Sequence, residues 1–204
     1  MVKENISKIV DSIFCISLTD RKDRRKKIKK HMKTRKISFK FYNAIKNTEY
    51  PEKGCLQSHL NIIKLAKKAN LKSILIIEDD CIFIKKPILD LPPTDWDMLY
   101  LGGNVKMPAK RYSDNLFHVT EGVHCTHAIL YSKKGIEITL KNYDVFTNEI
   151  KSHDHWLFCV GQKIMECFIC SPVIAYQRPG FSHPRNGYMD YYSEMKENEK
   201  KHLI

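Results

Sequence analysis

Short apolar segments alternate with longer charged or amphipathic segments along the first two thirds of the chain. Short runs rich in isoleucine and leucine are typical of buried strands, whereas apolar positions at spacings of three and four indicate helices. Leu56, Leu60, Ile63 and Ala66 form such a helical stripe. The predicted strands cover residues 13–18, 39–44, 74–77, 97–101 and 125–131. The predicted helices cover residues 21–34, 55–69 and 133–142.

This alternation predicts an α/β fold, in which a mostly parallel central sheet is covered by helices on both faces. The 204 residues fit a single domain, 1–204, that is large enough for a real core. We expect the core to span residues 13–185, with a loop at 105–115 and a charged tail at 191–204 that either forms a terminal helix or frays. Thr19 and Asp20 are expected to cap the first long helix.

Three consecutive carboxylates, Glu78, Asp79 and Asp80, follow the apolar run at 74–77. Open α/β sheets bind ligands at the carboxyl ends of their strands, where this triplet falls. Clustered carboxylates repel one another unless a cation or hydrogen-bond donors neutralise them, and their oxygen ligands suit Mg²⁺ or Mn²⁺. The alternative is a solvated acidic turn, and the triplet alone does not decide between the two.

The chain is basic, with 35 Lys and Arg against 23 Asp and Glu, a formal charge of +12. Residues 21–36 contain eleven basic residues and a single acid, Asp23. Such a run suits nucleic acid, an anionic membrane surface or a phosphate-bearing substrate. A solvated helix face is favoured because the run lacks interleaved aromatic residues, so nucleic acid is not the expected partner. Peripheral membrane contact and a homodimer both stay open.

The seven cysteines include one CxxC spacing, at 167–170, in an apolar setting that favours buried strand residues over a zinc or redox site. The odd count indicates a reducing compartment. The first eleven residues are too polar for a signal peptide, and no run approaches the roughly 20 apolar residues of a transmembrane helix. The expected location is therefore cytoplasmic.

Seven separated segments carry motif-like patterns, and the first of them is accompanied by Arg24. They lie at residues 16–21, 54–60, 78–80, 99–103, 126–132, 154–156 and 171–177. In this order they resemble the successive motifs of glycosyltransferase family 25, over nearly the whole chain. One departure is Ser-Leu-Thr-Asp-Arg at 17–21, where Asn-Leu-Asp-Arg-Arg is more usual.

The resemblance implies a GT-A type nucleotide-sugar-binding fold and a metal-dependent hexosyltransferase. Such an enzyme moves galactose or glucose from a UDP-hexose to a hydroxyl of a glycan, as in lipopolysaccharide biosynthesis, or of hydroxylysine in collagen. Its ion, Mn²⁺ or Mg²⁺, stabilises the diphosphate that leaves. A catalytically silent binding module is the alternative, although the intact acidic triplet argues against it.

Residue by residue, the resemblance implies that Glu78, Asp80 and His183 hold the metal and that Asp79 orients the donor sugar. Gly102 and Gly103 would let the backbone approach the donor. The other implied substrate contacts are Leu18, Thr19, Arg21, Ser58, Trp156 and Arg185. Of these, Ser58 opens a helix whose N-terminus favours phosphate, and Arg185, like Arg178, suits the diphosphate.

Asp154 is the candidate general base for the acceptor hydroxyl, and Trp156 would stack on a sugar face. The alternative is that Asp154 caps a helix and that Trp156 belongs to the core. A base is required only if the reaction inverts the anomeric centre, and the sequence does not decide this. His59 lies on the apolar stripe with Leu56 and is expected to be a packed structural residue.

Overall fold

A mixed sheet of eight strands, with helices against both faces, lies at the centre of the structure, which is a computed structural model. The structure describes residues 4–89, 91–92, 95–143, 152–182 and 186–203. The helices are α1 (Ile6–Ile9), α2 (Lys22–Arg35), α3 (Pro51–Lys68), α4 (Lys133–Asn142), α5 (His153–Trp156), α6 (Gln162–Ile164) and α7 (Tyr191–His202), with a π-helical turn at Leu157–Gly161.

The strands carry the numbers β1 to β16 in chain order. They are β1 (Glu4–Asn5), β2 (Ser12–Ser17), β3 (Lys40–Asn43), β4 (Ser73–Glu78), β5 (Cys81–Phe83), β6 (Ile88–Leu89), β7 (Met98–Tyr100), β8 (Asn104–Val105), β9 (Lys110–Ser113), β10 (Leu116–Val119), β11 (Val123–His124), β12 (Ala128–Ser132), β13 (Cys167–Cys170), β14 (Ala175–Gln177), β15 (Gly180–Ser182) and β16 (Gly187–Met189). The central sheet has the order β3-β2-β4-β12-β7-β13-β10-β9, and the remaining strands form two-stranded pairs.

Six of the eight central strands point in the same direction, and β12 and β10 run against them. Strands β3, β2 and β4 are parallel neighbours, as are β7 and β13. Strand β12 lies antiparallel between β4 and β7. The prediction of a mostly parallel sheet is confirmed, because most of the strands share one direction. The sheet is nevertheless mixed, since β12 lies antiparallel between two of them.

The apolar run of β4 supplies both halves of the core. Ile74 and Ile76 pack on the face covered by α3, α4 and α7, whereas Leu75 and Ile77 pack on the face covered by α2. This alternation follows from the two-residue period of a strand, and every one of these side chains is fully buried. Helices therefore cover both faces, as predicted.

Two local predictions need correction, and a third feature that the sequence left open is decided. Helix α2 begins at Lys22 without a side-chain cap, because Asp20 pairs with Lys46 instead. The predicted loop at 105–115 includes strand β9, which pairs with β10 at the sheet edge. The charged tail forms α7, and Met195 anchors this helix in the core with no exposed surface.

The parallel register of β2 and β4 positions the acidic triplet. Ile16 lies opposite Glu78, so the segments that leave these two strands run side by side at one edge of the sheet. Strand β14 approaches the same edge, and its Gln177 pairs with Cys81 of β5, just after the triplet. The carboxylates thus lie where three chain segments meet.

Candidate active site

A cleft of about 600 Å³ opens at the carboxyl ends of β2 and β4. Its walls come from the start of α2, the segment after β3, the start of α3 and the β14–β15 region. The residues that line it include Leu18, Arg21, Arg24, Lys46, Cys55, Glu78, Asp79, Asp80, Arg178 and Phe181. This volume is within the range of small-ligand and cofactor sites.

Asp79 and Asp80 share one counter-charge, the guanidinium of Arg24. Its Nη1 lies 3.0 Å from Asp79 Oδ1 and 3.3 Å from Asp80 Oδ2, and its Nη2 donates to the carbonyl of Phe181 at 2.7 Å. Ser17 also donates its hydroxyl to Asp79 Oδ2 at 2.7 Å. Asp79 is therefore bonded at both oxygens, which makes it the better compensated of the two.

Asp80 is left with excess negative charge. Its Oδ2 accepts from Gln177 at 3.2 Å, but its buried Oδ1 has no hydrogen-bond partner among the described residues. Burial, together with the charges of Glu78 and Asp79, raises the pKa of Asp80 from its ordinary 3.8 to about 7. A carboxylate oxygen in this state is suited to a cation, because a cation supplies the compensation that the protein does not.

Glu78 has hydrogen-bond partners that the two aspartates do not share. Its Oε1 accepts from the Thr126 hydroxyl at 2.6 Å and lies 3.3 Å from His59 Nε2. Burial alone would raise the pKa of Glu78, but the hydrogen bonds from His59 and Thr126 bring it below its ordinary value. Glu78 is therefore ionised and oriented at neutral pH.

These carboxylates fit a hard divalent cation. Mg²⁺ and Mn²⁺ prefer oxygen ligands, and the Oδ1 atom of Asp80 is a buried oxygen without a partner in the described part of the chain. Glu78, two residues earlier, supplies a second oriented carboxylate. Asp80 and Glu78 are thus the described residues that could hold the ion.

Basic side chains surround the acidic edge of the cleft. Arg21, Arg24, Lys46 and Arg178 all line it, and the backbone of Arg178 donates to the Asp80 carbonyl at 2.8 Å. Guanidinium and ammonium groups bind phosphate oxygens strongly. A cleft with carboxylates at one edge and cations around it can hold a metal and a diphosphate together.

Asp154 is held by residues of the segment that follows β11 and by the end of that strand. Its Oδ1 accepts from the Cys125 backbone at 2.9 Å, its Oδ2 lies 3.4 Å from His124 Nδ1, and its side chain is 35% exposed. Burial raises the pKa of the Cys55 thiol well above its usual range, and the negative charges of Glu78, Asp80 and Asp154 raise it further. Asp154 is not part of the cleft wall, but it is linked to the triplet through two adjacent residues: Cys125 contacts Asp154, and Thr126 contacts Glu78.

The structure places only some of the remaining sequence-predicted residues at the cleft. Leu18 and Arg21 line the cleft together with the triplet, whereas Thr19 is exposed beside it and is not part of its wall. His183 and Arg185 lie outside the described residues, so their predicted roles stay predictions.

Four predicted contacts are placed away from the cleft surface. Ser58 is buried, accepts from the Ile45 backbone at 2.9 Å and so fixes a segment of the cleft wall instead of binding phosphate directly. Trp156 is fully buried and stacks near His153, so its ring presents no face to a sugar.

Gly102 and Gly103 are buried as well. A Cβ on Gly102 would lie 1.7 Å from the Ala175 carbonyl oxygen, so this glycine is needed for close packing of β14 and not for approach to a donor.

Four residues contact the triplet although no sequence pattern predicts a role for them in binding or catalysis: Arg24, His59, Thr126 and Gln177. All four contact the triplet, at sequence separations of 19 to 97 residues. All four lie in or beside motif-like segments, and this is the signal that the sequence offers. The contacts themselves arise only when the strands come together.

Comparison of the fold with solved structures defines the class. The crystal structure of a glycosyltransferase involved in the glycosylation of the major capsid of PBCV-1 superposes with a TM-score of 0.57 over 93% of this chain and 98% of that chain, at 10% identity. The fold is therefore the GT-A type α/β fold, and the class is that of the glycosyltransferases. Among the described residues, no helix combines the length and apolar character needed to cross a membrane.

Sequence comparison gives the family. The profile of glycosyltransferase family 25 (LPS biosynthesis protein) matches residues 10–52 and 50–153. The chain belongs to glycosyltransferase family 25. Procollagen galactosyltransferases 1-B and 1-A of Xenopus laevis are 30% and 27% identical to it, and each match covers 45% of this chain and 21% of the relative. The chain thus matches about a fifth of the length of these relatives. The family match includes the acidic triplet and ends just before Asp154.

Proposed function

We propose that this protein transfers a hexose, galactose or glucose, from a UDP-hexose to a hydroxyl group on a glycan or on hydroxylysine, with Mn²⁺ or Mg²⁺ as cofactor. The observation that carries the proposal is the buried Oδ1 of Asp80, which has no partner in the described structure and lies at the edge of a 600 Å³ cleft with basic walls. Family membership supplies the reaction class.

Asp80 and Glu78 would hold the cation, which when bound supplies positive charge to the departing diphosphate. Arg24 holds Asp79 and Asp80 in place and also contacts the Phe181 carbonyl, so it ties the triplet to the opposite wall. Arg21, Lys46 and Arg178 would bind phosphate oxygens and thereby orient the donor. The attraction between these positive groups and the diphosphate would become stronger as negative charge develops on the leaving group.

Galactose is the first donor sugar to test, because the two matched Xenopus laevis relatives are named procollagen galactosyltransferases. Since those matches cover only 21% of the relatives, the donor and the acceptor of this chain are proposals to be tested separately.

Asp154 would act as the general base if the reaction inverts the anomeric centre. Its carboxylate is oriented by the Cys125 backbone and is partly exposed, and the next residue, Thr126, contacts Glu78 of the triplet. A positioned base typically contributes 10²–10⁴-fold to the rate. In a retaining reaction Asp154 would position substrates instead.

Two aromatic side chains suggest where an acceptor sugar binds. Phe181 and Tyr188 are directly paired across β15 and β16, so they share one face of the hairpin, and they are 45% and 73% exposed. Phe181 also lines the cleft. Exposed rings beside a donor site provide apolar faces on which sugar rings stack.

The decisive experiment is a screen of UDP-galactose, UDP-glucose and other nucleotide sugars in which released UDP is measured with and without Mn²⁺. The wild type should turn over one UDP-hexose in a metal-dependent manner, and Asp80→Asn should remove that turnover while remaining folded. Asp114→Asn, at an exposed acid between β9 and β10, is the matched control and should behave as wild type. Equal turnover by Asp80→Asn and wild type would refute the proposed metal role.

A further inference from the structure

Cys55, His59 and Glu78 converge at the inner side of the cleft. Their ligand atoms, one sulfur, one nitrogen and one oxygen, all lie within 4.8 Å of one another. Helix α3 places Cys55 and His59 one turn apart on the same face, and the end of β4 brings Glu78 to meet them. The three residues are close enough to hold a single ion.

The donor set differs in chemistry from the all-carboxylate set of the triplet. Thiolate and imidazole ligands favour Zn²⁺ and related ions, whereas Mg²⁺ and Mn²⁺ favour oxygen. We propose that Cys55, His59 and Glu78 form a second metal site, selective for a thiophilic divalent cation such as Zn²⁺. Three protein ligands with an open fourth position form the usual pattern of an accessible zinc site, and two of these three residues, Cys55 and Glu78, line the cleft.

Two of the three ligands are already fixed. His59 is fully buried and stacks on the ring of His153 at 4.6 Å, and its Nε2 lies 3.3 Å from Glu78 Oε1. Thr126 holds the same Glu78 oxygen at 2.6 Å. Zinc bonds of about 2.0–2.3 Å place tetrahedral ligand atoms roughly 3.5 Å apart, so the set has to contract by only about 1 Å. Rotation of the Cys55 side chain provides this movement.

Glu78 belongs to both donor sets, and this has a regulatory consequence that rests on the proposed function. An ion on Cys55 and His59 would compete with an ion on Asp80 for the Glu78 carboxylate. Zinc should therefore inhibit a manganese-dependent transfer by removing one of its carboxylate ligands. The thiophilic site would make the enzyme responsive to free zinc.

The test uses Co²⁺ as a spectroscopic substitute for Zn²⁺ and needs no sugar substrate. Titration of the wild type with micromolar Co²⁺ should produce one equivalent of a near-ultraviolet thiolate-to-cobalt band, and Zn²⁺ should displace it. Cys55→Ser should lose the band and bind at least about tenfold more weakly. Cys159→Ser, at a partly buried cysteine in the π-helical turn, is the matched control and should retain the band.

Absence of the band in the wild type, or its persistence in Cys55→Ser, would overturn the proposal. Circular dichroism and thermal melting verify that each variant is folded, and Cys55→Ala provides a second replacement. Because the readout is metal binding alone, a zinc site without any UDP-hexose turnover would refute the proposed transfer and leave the site standing. Turnover of a UDP-hexose without the cobalt band would support the proposed transfer and refute the zinc site.

Discussion

Replacement of Asp80 by asparagine should stabilise the metal-free protein at pH 8. The ionised Asp80 carboxylate is buried near Glu78 and Asp79, and its pKa of about 7 lies above the ordinary 3.8. At about 1.4 kcal/mol per pH unit, this rise corresponds to about 4 kcal/mol of unfavourable free energy for the charged form. The Asp80→Asn variant removes that unfavourable charge but also its attraction to Arg24. We therefore expect the free energy of unfolding to increase by about 2 kcal/mol.

The sign of the pH dependence follows from proton linkage. Between about pH 4 and pH 7 the folded state binds more protons at Asp80 than the unfolded state does, so the free energy of unfolding of the wild type falls as pH rises through this window. The penalty is complete above pH 7 and nearly absent at pH 4. The difference between variant and wild type should therefore be large at pH 8 and should shrink toward pH 4.

Thermal melting with a chelator present measures this difference. For a chain of this size, about 2 kcal/mol corresponds to a rise in Tm of about 4–8 °C. Mn²⁺ at pH 8 should raise the Tm of the wild type and leave that of Asp80→Asn unchanged. The exposed control Asp114→Asn should match the wild type throughout. A Tm of Asp80→Asn below that of the wild type, or a difference in Tm that did not vary with pH, would show that the buried charge of Asp80 does not destabilise the metal-free protein.

Three further predictions follow from the same geometry. Arg24→Gln should raise the KM for the donor about tenfold or more and lower the Tm, because two carboxylates lose their shared cation; an unchanged KM in steady-state kinetics would contradict this. Asp154→Asn should reduce kcat by about 10²–10⁴ if it is the base, with little change in donor KM, and a wild-type kcat would exclude that role. Gly102→Ala should lower the Tm by several degrees, since the new Cβ meets the Ala175 carbonyl at 1.7 Å; melting curves equal to wild type would show that β14 can shift.

The sequence predicts best where one local period decides the structure. The run Ile74 to Ile77 has the length of a strand, and its side chains alternate between two buried faces, which explains why it is apolar throughout. The stripe through Leu56 and Leu60 likewise predicts the buried side of α3. Both elements lead directly to the triplet, so the position of the carboxylates could be predicted without the structure.

Prediction fails where distant segments decide the outcome. No local pattern shows that β12 lies antiparallel between β4 and β7. The apolar pattern of a buried strand is the same whether its neighbours are parallel or antiparallel. Trp156 lies two residues after Asp154 and resembles a sugar platform in the sequence, yet tertiary packing buries it completely. Arg24 is one of eleven basic residues in the run at 21–36, and only the fold shows that it, and not a neighbour, contacts Asp79 and Asp80.

The same contacts explain why three adjacent carboxylates can persist beside a buried strand. Asp79 is compensated by Ser17 and Arg24, and Glu78 is compensated by Thr126 and His59, so each has donors of its own. Asp80 shares Arg24 and keeps one oxygen without a partner in the described residues. The uncompensated charge is therefore concentrated on one atom. Because Asp80 lines the cleft, a cation that bound there would relieve this charge, and the energy released would be available for binding the proposed donor diphosphate.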